Sequence, residues 1–461
     1  MTAIDVAVVG GGASGLAAAY ELHRQGVRFA LLDAAPQLGG VIRTDHVDGF
    51  TLDAGPDSFL TQKPAAVQLC EELDLGNRLI STLEPRTAYV LRGQLRPIPE
   101  SSVLGIPTAL FPWLTSTLLS PKAKLRMASE IFLPRGDANR ESVGQFFRRR
   151  FGQAAVDHIA EPLLAGIHAG DVEQLSIAAL FPRLVEAERS HRSVTLALRN
   201  LRKQTPGPRQ GLFRSLPKGL GELVSSLTAK LPSSAVHPSS QVLDLIGPSP
   251  YTLQIRSARR LSARSVILAT PAHVAATLVK RLDGRLAALC REIPYTSTAT
   301  VLLAYPQSAI KRPRTGSGFV VPRLERSVRL LAGSWVTSKW PGRAPPNYVL
   351  LRGFLGGSRN QEILDYPDED LVDHTHRSFA SLLNIDCRPT LARVYRWNRA
   401  NAQYNVGHIE RMNQIEHRLQ QIPGVFVTGA GFRGIGIPDC IADGRAAALA
   451  SIEWQASRRN A

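Results

Sequence analysis

The chain begins with a short continuous apolar run, Val6-Ala7-Val8-Val9, preceded by Ile4 and Asp5. A run without alternation predicts a strand covered on both faces, as in the middle of a parallel sheet. Gly10-Gly11-Gly12-Ala13-Ser14-Gly15 follows at once. A helix is predicted over residues 16–25, with Ala17-Ala18-Ala19 packing closely and Gly26 as its stop. A second apolar run, Phe29-Ala30-Leu31-Leu32, predicts another strand and ends on Asp33. Val47-Asp48-Gly49-Phe50 reads as a hairpin turn. Residues near 100–200 read as mainly helical, and residues 295–357 as strands, for example Thr300-Val301-Leu302-Leu303-Ala304. Two late strands are expected, at Ser265-Val266-Ile267-Leu268-Ala269-Thr270 and within residues 424–430. A helix is expected through Gly444 to Ala450, with Pro438 placed to start it. Pro206-Gly207-Pro208 and residues 342–346 mark loops, and no internal repeat or low-complexity run is visible.

One apolar stretch, residues 103–119, stands apart. Pro107 and Pro112 interrupt it, and it is too short to cross a bilayer. It fits a core segment, a contact with a membrane surface or the lining of an apolar channel. The N-terminal residues lack the basic and apolar regions of a signal peptide, so a cytoplasmic location is expected.

Length and composition narrow the picture. At 461 residues two or three domains are expected, and 44% hydrophobic with 20% charged residues is the balance of a globular protein. The four cysteines, Cys70, Cys290, Cys387 and Cys440, are widely spaced and suggest neither a metal site nor a disulfide framework. Lys and Arg number 55 against 38 Asp and Glu, a formal net charge of +17. That excess favours acidic partners such as an anionic lipid surface or a polycarboxylate. Clusters such as Arg148-Arg149-Arg150 read equally as a solvated face. No interleaving of basic and aromatic residues supports nucleic-acid binding.

The first motif carries the chemistry. Gly10, Gly12 and Gly15 form GxGxxG between a strand and a helix, with an acid, Asp33, at the end of the next strand. Gly10 makes the turn, Gly12 lets backbone approach a pyrophosphate, and Gly15 lets helix and strand pack. The helix start offers unpaired N–H groups to phosphate, and Gly11, Ala13 and Ser14 are counted with the cofactor-binding residues. Asp33 can accept from both ribose hydroxyls and disfavours a 2′-phosphate. A dinucleotide other than NADP is expected.

A second glycine pair, Gly39-Gly40, followed by Val41 and Arg43, distinguishes the ligand. The pair admits a large cofactor, and Arg43 supplies a cation near its diphosphate or flavin. Together with Gly55-Pro56-Asp57-Ser58, this arrangement resembles the flavin amine-oxidase superfamily and implies FAD. The return segment Gly434-Ile435-Gly436-Ile437-Pro438-Asp439 matches the part that closes the FAD site in that superfamily, and Val242 falls where a strand passes the adenine. The implied fold is α/β and α+β. It has a Rossmann-like FAD-binding domain of the glutathione-reductase or amine-oxidase type, and a substrate domain of mixed sheet with a helical, membrane-associating subdomain. The expected FAD domain is discontinuous, over residues 1–80, 211–280 and 406–461. Residues 81–210 are expected as the mainly helical substrate and membrane-associating region, and residues 281–405 as the substrate-binding sheet.

The resemblance then becomes more specific. Residues 55–60, 144–152 and 161–171, Leu175-Ser176, and residues 354–360 and 436–441 together resemble the protoporphyrinogen and coproporphyrinogen oxidase family. The resemblance implies six-electron oxidation of a porphyrinogen in haem biosynthesis. In each of three rounds a hydride passes to the flavin and a pyrrole proton is lost, with O2 as the acceptor yielding peroxide. It also implies hand-off of the porphyrin to a ferrochelatase, at the inner face of the cell membrane.

Arg86 falls where the protoporphyrinogen branch holds a propionate, and a guanidinium suits a carboxylate. Phe354 falls where a side chain stacks on a pyrrole ring, and Val320 and Trp335 where two apolar residues sandwich another. Gly166 falls where a backbone carbonyl faces the macrocycle. His168 departs from the Tyr, Phe or Cys expected there, and reads either as a structural histidine or as acceptor of the pyrrole proton. Wording such as Gly318-Phe319-Val320-Val321-Pro322 resembles the coproporphyrinogen branch. Arg86 resembles the other and touches substrate in the family, so protoporphyrinogen IX is the expected substrate and coproporphyrinogen III the alternative. An amine oxidase would offer a Lys near the flavin and an aromatic cage, neither of which can be placed. A non-enzymatic binder of the same fold would be colourless.

Overall fold

The structure is a computed structural model that describes residues 4–99, 102–204, 211–256, 258–312 and 315–459. The expected loop at Pro206-Gly207-Pro208 lies outside the described residues.

The first apolar run forms the strand Ile4–Val9, buried from Val6 onward. It lies parallel to Phe29–Leu32 on one side and to Arg260–Leu268 on the other. Val236–His237 extends one edge, while Tyr251–Ile255 and Val242–Ile246 add antiparallel strands at the other. Val425–Val427 also pairs with Arg260–Leu268. Both faces are covered. Helices Ala13–Arg24 and Ile437–Arg459 lie on one, and Ala272–Leu278 and Gly284–Arg291 on the other. The first helix starts three residues earlier than its pattern predicts, because Gly12 already takes the extended conformation of a helix cap. The C-terminal helix starts beside Pro438, as expected, and runs past Ala450 to Arg459.

The hairpin joins Thr44–Val47 to Phe50–Asp53. Its central residues, Asp48 (φ 50°) and Gly49 (φ 81°), are both left-handed, as a two-residue turn requires. A small sheet of Phe59–Leu60, Phe213–Ser215 and Ile80–Ser81 ties the first segment to the middle of the chain.

The second large sheet runs in the order Leu391–Ala402, Tyr295–Pro306, Tyr348–Gly356, Ala332–Trp335, Gly318–Val320, Ala88–Arg92, Gln94–Pro97. The last two strands come from the segment expected to be mainly helical, and they pair onto this sheet through Gly318–Val320. One face packs on helix Asp368–Leu383 through Val301, Leu303, Phe319, Leu351 and Phe379.

The remaining block is a helical cluster around Phe146, Phe147, Phe151 and Ile159. A capping box starts helix Val143–Phe151. Ser142 Oγ accepts from Gln145 N–H, and the Gln145 side chain accepts from Ser142 N–H. Val156–Ala165 is a π-helix with Pro162 inside it, a local irregularity of the kind that collects at functional sites. The Arg148-Arg149-Arg150 cluster is neither a solvated face nor an open basic patch. Arg150 is fully buried against Glu130, Arg149 pairs with Glu141 and Glu188, and Arg148 pairs with Glu173. Residues 103–119 do not form one apolar element. Trp113, Leu118 and Leu119 are core, while Phe111 and Leu114 are exposed. No helix among the described residues is long and apolar enough to cross a membrane.

Candidate functional site

The Gly-rich turn is dictated by contact distances. A Cβ on Gly15 would stand 1.8 Å from the Gly10 carbonyl oxygen, so helix Ala13–Arg24 can sit on its strand only with glycine there. A Cβ on Gly12 would meet nothing within 4 Å, which leaves backbone open toward a ligand. Gly11 N–H and Ala35 N–H both donate to the Asp33 carboxylate, which anchors it at the end of its strand. Gly39 N–H donates to Gly11 O at 2.8 Å, so the second glycine pair lies directly against the first. Beside Gly10, Thr270 Oγ1 is buried without a partner. Bare backbone, an acid at the ribose distance and an unpaired hydroxyl together fit a dinucleotide. Val242 opens its strand close by, and Ser240 N–H donates to Asp33 O at 2.6 Å.

Two further segments reach this cradle. The helix Ile437–Arg459 begins at Ile435-Gly436-Ile437 and crosses the first helix closely, since a Cβ on Gly444 would stand 2.1 Å from Ser14 O. Asp439 in its first turn pairs with Lys63 at 2.6 Å. On the other side, Gly55 passes so near Val41 that a Cβ would stand 1.7 Å from the Val41 oxygen. Arg43 is held by Asp45 through two bonds of 3.1 Å and lies over the Tyr395 ring. The Asp57 carboxylate is engaged by Lys339 at 2.8 and 3.0 Å, by Trp340 Nε1 at 3.1 Å and by Ser58 Oγ at 2.7 Å. It is largely enclosed, yet the Lys339 and Arg352 charges hold its carboxyl well below the usual range. Its side chain therefore clamps the second sheet onto residues 54–58 and is not free for a ligand. Pro56 lies between Gly55 and Asp57 in the same clamp.

The second sheet sorts the residues expected at the substrate. Phe354 pairs with Ala332, and Ala332 with Val320, so Phe354 and Val320 share one face. Trp335 pairs with Leu351 and lies on the opposite face, 2% exposed, packed on Phe319 and Phe379. The expected sandwich of a ring between Val320 and Trp335 is therefore not formed. Strand alternation sends the two side chains to opposite sides of the sheet. Gly166 is helical, and its carbonyl accepts from Ala169 N–H at 3.2 Å. The His168 ring packs edge-on to Phe181, and burial lowers its pKa to about 4. A ring held neutral in that way is a poor proton acceptor at neutral pH. Arg86 is partly exposed, bonded to Thr82 Oγ1 at 3.0 Å and paired with Glu84.

The pattern along the chain missed two groups. Arg352, two residues before Phe354 on the same face, lies 4.6 Å from its ring centroid and donates to Gly55 O. Its signal was a lone arginine inside the apolar strand Tyr348–Gly356, where a charge is retained only if it is paired. Gln403, Tyr404 and His408 were also passed over. Gln403 and Tyr404 lie between a strand and a helix and His408 opens that helix; all three are buried, which no pattern along the chain signals.

Comparison with known proteins extends this geometry. The family described as flavin containing amine oxidoreductase matches residues 13–450. A coproporphyrinogen III oxidase of Bacillus subtilis (strain 168) is 34% identical over 96% of this chain and 96% of its own. One from Propionibacterium freudenreichii subsp. freudenreichii is 33% identical over 95% of this chain and 89% of its own. A solved structure from Exiguobacterium sp. 255-15, which carries a protoporphyrinogen-oxidase name, superposes with a TM-score of 0.86 at 31% identity, covering 98% of this chain and 100% of that one. The dinucleotide cradle is thus an FAD cradle, and the chain belongs to the flavin containing amine oxidoreductase family as an FAD-dependent oxidoreductase.

Proposed function

We propose that the protein oxidises coproporphyrinogen III to coproporphyrin III, with FAD as hydride acceptor and O2 as terminal acceptor. The observation that carries this reading is the near full-length similarity to two coproporphyrinogen III oxidases, spanning cradle, sheet and helical block alike. FAD, when bound, supplies the redox chemistry. The chain's own residues hold and orient the macrocycle. In this reading FAD lies along Gly10 to Gly15, Asp33, Gly39 to Arg43, Gly55 to Ser58, Val242 and Ile435 to Ile437. These belong to a discontinuous domain of residues 1–80, 211–280 and 406–461. Phe354 and Val320 offer apolar surface to the macrocycle, and the Gly166 carbonyl lies at the neighbouring turn. Arg86 receives a carboxylate. The Arg214 guanidinium nearby has its pKa pushed down, first by burial and then by the charge of Arg86, and such a concentration of positive charge suits a polycarboxylate.

Protoporphyrinogen IX is the second reading, favoured by Arg86 and by the name of the Exiguobacterium structure. Aerobic turnover of both porphyrinogens, followed by porphyrin fluorescence, separates the two. The coproporphyrinogen is expected to turn over faster, and oxidation of neither would remove the proposal.

A cytoplasmic protein touching the inner face of the membrane is supported by the exposed Phe111, Leu114, Leu125 and Phe132. Such a site would suit hand-off to a ferrochelatase. Recovery of all the protein in the soluble fraction at low salt would count against membrane contact.

A further inference from the structure

Residues 403–408 lie between two parts of the proposed site. On one side is the turn at residues 429–436, which leads into the flavin-facing helix Ile437–Arg459. The Tyr404 hydroxyl donates to Ala430 O at 3.0 Å and accepts from Gly434 N–H at 2.8 Å. Its ring stacks on His408 at 3.8 Å, with the planes 12° apart. His408 Nε2 lies 3.0 Å from Phe432 O. Burial lowers the His408 pKa to about 4, so the ring is neutral and Nε2 carries the proton it donates.

On the other side is the turn at residues 166–170, with Gly166 and His168. Gln403 Nε2 lies 2.9 Å from His168 O, 3.1 Å from Thr296 Oγ1 and 3.1 Å from Asn401 O, its two hydrogens shared among these acceptors. Gly170 leaves the room this amide needs, since a Cβ there would stand 2.4 Å from Gln403 Oε1. Ala169 is left-handed, with φ 50°, a strained conformation for a residue with a side chain. Its oxygen accepts from Ser358 N–H at 2.9 Å, so the turn is held from two directions. Main-chain bonds fix residues 403–408 to the same block. Ser176 N–H donates to Tyr404 O at 2.8 Å and Val406 N–H to Gln174 O at 2.9 Å. Gln403, Tyr404 and His408 are 3–4% exposed.

We infer that Gln403, Tyr404 and His408 form a positioning strut that sets the flavin-facing turn against the substrate-facing turn. The inference rests on the porphyrinogen reading for what lies at residues 166–170, and on the FAD cradle alone for residues 429–436. The bonds of the three residues run to the two turns and to neighbouring side chains. They act by fixing the gap across which hydride must pass, and rate falls steeply when such a gap is misset.

The test separates the two ends. Tyr404→Phe keeps the stacked ring and removes both hydroxyl bonds. The FAD dissociation constant is expected to rise about tenfold, with displaced visible flavin bands. Gln403→Leu is expected to leave FAD affinity within about twofold. Anaerobic flavin reduction by coproporphyrinogen III should slow about tenfold with little change in KM. Amide hydrogen exchange across residues 166–170 should rise about tenfold in this variant, a readout that needs no turnover. Thr296→Val removes one acceptor of the same amide and is expected to act in the same direction, so a poorly folding Gln403→Leu protein does not end the test. Unchanged FAD affinity and bands in Tyr404→Phe overturn the strut at its flavin end. Unchanged exchange at residues 166–170 in Gln403→Leu or Thr296→Val overturns it at the other. Oxidation of neither porphyrinogen by the unaltered protein removes the proposed substrate, while FAD binding and exchange still judge the strut.

Discussion

The N-terminal glycine cradle and the clamp around residues 53–57 are built in opposite ways. The cradle centres on the N-terminal glycine turn and is made of backbone. Its glycines act by what they lack, since single carbon atoms at Gly10 or Gly15 would collide with main chain. The clamp is made of long polar side chains drawn from distant segments. Lys339, Trp340 and Arg352 converge on residues 55–57, Arg343 pairs with Asp53, and Trp397 Nε1 donates to Ala54 O at 3.1 Å. A wall of backbone has no slack, because its contacts are at van der Waals limits. A wall of side chains shares its load among several bonds, so each can be lost with a measurable and limited cost.

This contrast sets an order of expected effects. Gly15→Val should have the largest. Its Cβ would overlap the Gly10 oxygen, and the purified protein should lose its yellow absorbance and bind FAD at least about a hundredfold more weakly. A yellow, fully loaded variant would break the contrast. Asp57→Asn comes next. Removing one partner of a largely enclosed ion pair costs roughly 3 kcal/mol, to be read from urea unfolding. The same residue sets a pH dependence. Its folded pKa lies below its unfolded value, so its stabilisation is complete above the unfolded carboxyl range and is lost as pH falls through the folded one. The variant should therefore show a weaker acid dependence of stability below about pH 4.

Arg86→Ala, at the rim, should raise KM for the porphyrinogen about tenfold with a much smaller fall in kcat. An unchanged KM would remove Arg86 from the carboxylate site. His168→Phe should have the smallest effect on turnover, within about twofold, because a ring whose pKa is lowered to about 4 is a weak base. Its signature is in stability. The unfolded ring binds a proton below about pH 6.5 and the folded ring only near pH 4, so stability falls as pH drops between them. The variant should flatten that slope in acid unfolding curves. A large loss of kcat instead would give His168 the proton-accepting role.

Legibility followed the same division. The strand, glycine turn, helix and acid from Ile4 to Asp33 were readable because each is a local pattern with one spatial meaning. The hairpin at Asp48-Gly49 was readable for the same reason. Val320 and Trp335 were not. Both are apolar strand residues, and only the pairing of Gly318–Val320 with Ala332–Trp335 decides which face each occupies. Nor were the strands at residues 88–97, whose partner Gly318–Val320 lies more than two hundred residues away. The Arg148-Arg149-Arg150 cluster looked like surface until its carboxylates, from Glu130 to Glu188, were brought around it.

The sequence by itself pointed to a dinucleotide on bare backbone at the N-terminus, and its second glycine pair and C-terminal return carried the resemblance that implies FAD. Those are statements about residues that act through local geometry. Tertiary structure alone decided which side chains share a face of the second sheet and which are core. It also revealed Arg352 behind Phe354, and Gln403 and Tyr404 between the two turns. A buried polar residue acquires its meaning from its partners, and those partners are chosen by packing, not by position along the chain.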